Sequence, residues 1–268
     1  MRLIVAVAIL ILLAPFGAMA ADGTDVVALA SDKEAKVAIT EFRKTRPVTA
    51  EAVTQLANVV HDDVVKELLK LLTTPPRNRE LEDLALKEAV LKSLLEEQKP
   101  LLEDSVRRGL IGILAQQRAS AEVLTLVVGA IGKLDCREAW REVVALLRYD
   151  QGEAVICAAL TLLGDWKEVR AHKELQAFWD KHSSGGAGNF RRPVVSSSPT
   201  GGAEAVAQKA FDQRNKGLVG AHTLEVLRAI SERITGRDDM TTGQRFRDWC
   251  KSDEGKRRIY EAMRQRDE

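Results

Sequence analysis

Residues 131–147 read IGKLDCREAWREVVALL, and residues 162–178 read LLGDWKEVRAHKELQAF. Each stretch opens on an aliphatic run and breaks at a short polar turn holding an aspartate, Asp135 or Asp165. Each then passes through a basic-acidic pair into a second amphipathic run. The preceding residues correspond as well. Glu122 falls on Glu153, Leu126 on Cys157, Val127 on Ala158 and Ile131 on Leu162, and Arg137-Glu138 falls on Lys167-Glu168 one residue out of step. The period is about 30 residues, and each unit holds two helix-length segments. Within a segment, apolar residues recur at helical spacing, as in the stripe Trp140, Val143, Val144 and Leu147. One helical hairpin cannot bury both its faces, whereas hairpins stacked in a row can.

The composition agrees. Of 268 residues 45% are hydrophobic and only 4% aromatic, with Ala, Leu, Val, Glu, Lys and Arg abundant. Those are helix formers, while β-sandwiches draw on aromatic and β-branched side chains. The expected fold is all-α: an α-solenoid of antiparallel helical hairpins followed by a smaller C-terminal helical module.

Upstream segments extend the array. Ser31 and Glu34 form a capping box that opens a helix running to about Lys44, before Pro47. Thr49 caps a second helix, through Val60. Asp62 and Asp63 place negative charge at the start of VVKELLKLL, where the helix dipole favours it. Thr73 to Pro76 ends that helix. Leu81 to Glu97 reads as another, and Pro100 to Gln117 as another. Short connections predict antiparallel neighbours, about nine helices between residues 30 and 182.

The paired helices at 121–147 and 152–181, with Asp135 and Asp165 at their turns, resemble HEAT repeats. The likeness covers about residues 30–182. The period is shorter than the usual HEAT value of about 40, and is more similar to the short HEAT-like repeats of many bacterial proteins, including subunits of phycobilin lyases. The resemblance implies an extended surface for a protein or peptide partner, lined by the second helix of each hairpin. Arg141, Arg170 and Lys173 are the kind of residue that would meet the partner there.

The first twenty residues, MRLIVAVAILILLAPFGAMA, read as an export signal. Arg2 is the positive start, Leu3 to Leu13 is apolar, and Ala18-Met19-Ala20 offers a small-x-small cleavage site after Ala20. The apolar run falls short of the roughly twenty residues that span a bilayer. The expectation is therefore a periplasmic or secreted protein with no membrane span in the mature chain.

Residues 183–202, SSGGAGNFRRPVVSSSPTGG, are rich in Gly, Ser and Pro and read as a linker carrying Arg191 and Arg192. The expected organisation is a signal at 1–20, a HEAT-like domain at 21–182, the linker at 183–202 and a helical module at 203–268. In that module GAEAVAQKAFDQ reads as one helix and Leu218 to Ile234 as a second, striped by Leu224, Leu227 and Ile230. A glycine-terminated end at Gly236 and a polar loop lead to Phe246 and Trp249, then to a last helix with Ile259, Tyr260 and Met263. This order is similar to the last unit of many exported bacterial HEAT-repeat proteins. There the tryptophan covers the open end of the stack, which makes Phe246 and Trp249 core residues by that resemblance. A free aromatic pair that binds sugar or peptide is the alternative.

Candidate chemistry is sparse. The four histidines, His61, His172, His182 and His222, have no metal-ligand spacing among them. His172 lies on a charged helix and reads as solvated. No nucleophile elbow, P-loop or EF-hand pattern is present. Acidic pairs such as Asp62-Asp63, Glu96-Glu97 and Asp238-Asp239 point about 100° apart on a helix and do not converge on one bond. Three cysteines, Cys136, Cys157 and Cys250, are too few for a disulfide scaffold. Cys157 reads as a core residue, and a Cys136–Cys157 bridge stays open. With 40 basic and 39 acidic residues, the balance does not resemble the concentrated positive field that nucleic-acid binding normally requires. The sequence thus predicts no catalytic residue, cofactor or metal. It points to an exported protein-binding scaffold, with an enzyme-accessory subunit or an envelope structural protein as alternatives.

Overall fold

A computed structural model of the chain describes residues 29–45, 47–74, 80–117, 119–147, 152–183 and 221–264. The stretches read as an export signal, as a linker beyond Ser183 and as a helix at GAEAVAQKAFDQ lie outside them. Every regular element among the described residues is helical. Among the described residues nine α-helices lie before residue 184: α1 Asp32–Lys44, α2 Ala50–Ala57, α3 Asp62–Thr73, α4 Glu80–Ser93, α5 Lys99–Gln116, α6 Ala121–Lys133, α7 Trp140–Ala145, α8 Glu153–Asp165 and α9 His172–Ser183. Three more lie after residue 220: α10 Ala221–Thr235, α11 Gly243–Lys251 and α12 Asp253–Arg264.

The helix starts are written in the side chains. Ser31 accepts from the Glu34 amide while the Glu34 carboxylate reaches back to the Ser31 amide at 2.8 Å, completing the capping box on α1. Thr49 caps α2 and Ser120 caps α6. His61 caps α3 through Nδ1, which accepts from the Asp63 amide at 3.1 Å, and its Nε2 lies 3.0 Å from Asp32.

Between α4 and α5 the chain does not stop, although the sequence reading ends one helix at Glu97 and starts another at Pro100. It passes through a π-helical turn, Leu94–Gln98, and leaves helical geometry only at Leu102 (φ −126°, ψ 34°). Pro100 has no amide hydrogen to donate to the turn before it. The preceding Lys99 amide bonds Leu94 instead, and the widened turn absorbs the proline.

Helices pack on near neighbours in the chain. The even-numbered helices form one row: α2 on α4, α4 on α6, α6 on α8 and α8 on α10. The odd-numbered ones form another: α1 on α3, α3 on α5, α5 on α7, and α9 on α11. Buried residues from Ala35 to Trp249 make one continuous apolar core. Helices α10 and α11 belong to it, with Leu227, Ile230 and Ile234 of α10 buried beside α8. Gly164 permits this approach, since a Cβ there would lie 2.8 Å from the Ile230 side chain. Trp179 Nε1 donates to Ser231 Oγ at 3.1 Å, and Thr223 donates to Glu153 at 2.6 Å across the same junction. Phe246 and Trp249 are 0% and 2% exposed, with ring centroids 6.1 Å apart, so both are core residues and no free aromatic pair.

The hairpins at 121–147 and 152–181 correspond in a register one residue longer than the one read for their first helices and two longer than the one read for their turns. Ser120 and Gly152 are the equivalent N-caps of α6 and α8. Asp135 and Lys167 are the equivalent left-handed turn residues, at φ 45° and 52°. A one-turn 3₁₀ helix follows each, Arg137–Ala139 and Val169–Ala171, and leads into Trp140 and His172. Asp165 is therefore the last residue of α8, and the turn position it was read to share with Asp135 belongs to Lys167.

Candidate binding surface

The corrected register aligns WREVVALL at 140–147 with HKELQAFW at 172–179. Three of these positions carry the core: Val143 and Leu175, Leu146 and Phe178, and Leu147 and Trp179 are buried equivalents. The first three positions repeat a different pattern: a ring, a cation and a glutamate, as Trp140-Arg141-Glu142 and His172-Lys173-Glu174. Arg141 and Lys173 are exposed, whereas both rings are half-buried.

Trp140 is the hub of this surface. The Arg170 guanidinium lies over its ring at 5.1 Å from the centroid, and that of Arg141 at 5.5 Å. Each is within cation–π range. Arg170 belongs to the second 3₁₀ turn and so ties one hairpin to the next. Its own position is fixed by Glu168, which is 5% exposed and accepts from Arg170 Nε at 2.6 Å and Nη2 at 2.5 Å. This fork also raises the affinity of Arg170 for its proton. Glu168 accepts from the Arg170 amide as well, capping the turn it opens.

The neighbouring hairpin has a parallel device. Arg107 of α5 donates to the Leu134 carbonyl at 2.8 Å and pairs with Glu138 at 3.2 Å and Glu103 at 2.8 Å. Cys136 donates its thiol to Glu138 at 3.1 Å. Burial and that glutamate push the thiol up to about 12, so it is inert at neutral pH. All three cysteines are free. Cys157 is half-buried with its sulfur 3.5 Å from Thr223 Oγ1, at the junction with α10, so Cys136 and Cys157 meet different partners.

Of the three surface residues singled out from sequence, the structure brings Arg141 and Arg170 together on one ring and places Lys173 one repeat further, at the position equivalent to Arg141. Arg170 is already committed to Glu168. Arg141 and Lys173 have no acidic partner among the described residues. His172, read as solvated, is half-buried. Its Nδ1 lies 3.1 Å from the Val169 carbonyl, and burial lowers its proton affinity. Beside Lys173 a hollow of about 370 Å³ is lined by Leu147, Ala177 and Phe178, with Lys173, Glu174 and Lys181 around it.

A second concavity of about 800 Å³ lies between α4, the π turn and α6. Leu91, Leu95, Leu126 and Leu134 line its floor, and Lys92 and Glu96 on its edge pair at 3.8 Å. No group of three or more metal-ligating side chains gathers among the described residues, and none of the described helices is long and apolar enough to cross a membrane. No family model, curated protein or solved structure matches this chain.

Sequence reasoning missed the Trp140–Arg170 contact and the role of Glu168. Both follow from the register. With Arg137-Glu138 read onto Lys167-Glu168, Trp140 fell opposite Arg170 instead of His172, and the repeated ring-cation-glutamate triplet was hidden.

Proposed function

We propose that the chain is an exported, non-catalytic protein-binding scaffold built as a short HEAT-like solenoid. The observation that carries this reading is the packing order. Helices one hairpin apart meet in two rows, α2 to α10 in one and α1 to α7 in the other, as stacked hairpins require. The two hairpins with equivalent caps, left-handed turns and 3₁₀ turns support a true structural repeat. Such an array presents an extended surface, and the row that holds α7 and α9 carries cations that no carboxylate of the described residues engages.

The test is lysine-directed cross-linking of the native protein in its own cell envelope, with linked residues mapped by mass spectrometry. The expected result is a stoichiometric protein partner linked through Lys173 or Lys181. Co-purification of a chromophore or metal, with no protein partner, would favour an enzyme-accessory role instead. Absence of the protein from exported fractions would remove the export part of the reading and leave the scaffold part standing.

A further inference from the structure

We infer that the repeated turn at Trp140-Arg141 and His172-Lys173 recognises an acidic peptide segment of the partner, with an apolar side chain of that segment seated against Leu147 and Phe178. The inference rests on the scaffold reading and specifies its ligand.

Three acidic side chains of the turns themselves have cationic partners: Asp135 with Arg137 at 3.0 Å, Glu138 with Arg107, and Glu168 with Arg170. Arg141 and Lys173 do not, and both are exposed. Two exposed cations thus stand unengaged at positions that recur from one hairpin to the next, each followed by a half-buried glutamate, Glu142 and Glu174. Trp140 adds preorganisation. It holds the Arg141 guanidinium over its ring, a contact that leaves the N–H edge free to fork a carboxylate. A cation already held in place loses less side-chain entropy on binding than a free one.

The second element of recognition is the hollow next to Lys173. Phe178 and Leu147 are buried members of the core, 4% and 5% exposed, and Ala177 leaves the space open in front of them. Lys181 lies two helical turns beyond Lys173 on α9, about 12 Å along the axis. An apolar anchor flanked by acidic residues fits this arrangement in both chemistry and length. A nucleic acid fits it poorly, since only a few cations are available and each would meet a separate phosphate.

The test uses the full chain and a short glutamate-rich peptide with one central leucine. Binding is read by calorimetry and by tryptophan emission. Trp140 is the half-buried indole on this surface, and Trp166, Trp179 and Trp249 are core residues. The glutamate peptide is expected to bind and to shift the emission, more weakly as salt rises. Replacing its glutamates by glutamine, or replacing Arg141 and Lys173 together by alanine, is expected to weaken binding about tenfold or more. Arg141→Lys keeps the charge and loses the fork, so it should fall between. Lys256→Ala on α12 should leave binding unchanged. Equal binding of the glutamine peptide, an unaffected double variant, or no binding of the glutamate peptide would overturn the inference. A partner cross-linked in the envelope whose capture ignores the double substitution would overturn this site alone. Absence of any partner would overturn the scaffold reading with it.

Discussion

Gln98 donates its side-chain amide to the Ala57 carbonyl at 2.5 Å and to the Val59 carbonyl at 3.2 Å, so the π turn between α4 and α5 holds the connection between α2 and α3. Its Oε1 accepts from the His61 amide at 3.3 Å, and the side chain is fully buried. One glutamine thus satisfies backbone groups of a turn that would otherwise be buried unpaired. Gln98→Ala is expected to cost about 2–3 kcal/mol, because it strands those groups. Denaturant unfolding of the variant checks this. A change under about 0.5 kcal/mol would mean that the turn finds other partners.

The junction between α8 and α10 allows no side chain at position 164. Gly164→Val is expected to destabilise the protein by about 2 kcal/mol by driving Ile230 away. Ile230→Ala makes room, so the double variant should lose less than the sum of the two single losses. Additive losses in thermal unfolding would show that the two residues do not meet.

Glu168 is nearly fully buried, and Arg170 is its cation. Removing one member of such a pair leaves the other charge poorly compensated. Glu168→Ala is expected to cost about 2 kcal/mol and to change the emission of Trp140, because Arg170 loses the contact that holds it over the ring. Glu168→Gln should cost less. Unchanged emission in the alanine variant would disconnect Glu168 from the surface.

Acid should loosen the end of α9. Burial, with Lys181 nearby, holds the His182 imidazole down at about 4, from an ordinary value of 6.5. Its ring packs 4.4 Å from that of Phe178. Between those two values the unfolded chain binds more protons than the folded one, so stability rises with pH through that window. The contribution is intact above about 6.5 and is lost progressively down to about 4. It amounts to at most about 3 kcal/mol. His182→Leu is expected to flatten the dependence of the unfolding midpoint between pH 4 and 6.5. An unchanged slope would place its origin elsewhere.

Much of the helical layout was legible because caps are local. Ser31, Thr49 and Ser120 announce helix starts with their own hydroxyls, and the apolar stripes of α3, α6 and α8 repeat at helical spacing. Pro100 misled for an equally local reason. A proline reads as a boundary, yet the neighbouring Lys99 amide re-pairs one residue further back and the helix continues. The hairpin register slipped because identity between Glu122 and Glu153 outweighed turn geometry. Left-handed backbone at Asp135 and Lys167 carries no shared residue type. Packing of α10 on α8 was illegible, since nothing in Gly164 or Ile230 alone announces their contact. The candidate surface was half visible: Arg141, Arg170 and Lys173 stood out as cations on second helices. That Glu168 consumes one of them and leaves the other two depends on a turn whose geometry only the fold reveals.

The central claim is that the row of helices carrying α7 and α9 is the face a protein partner meets. Site-specific photo-cross-linking in living cells tests it most directly. A photoreactive side chain is placed at Lys173, exposed on α9, and separately at Thr161, exposed on α8 in the other row. The account predicts a discrete protein adduct from position 173 and none from position 161. An adduct from position 161 alone, or from neither position, would contradict it.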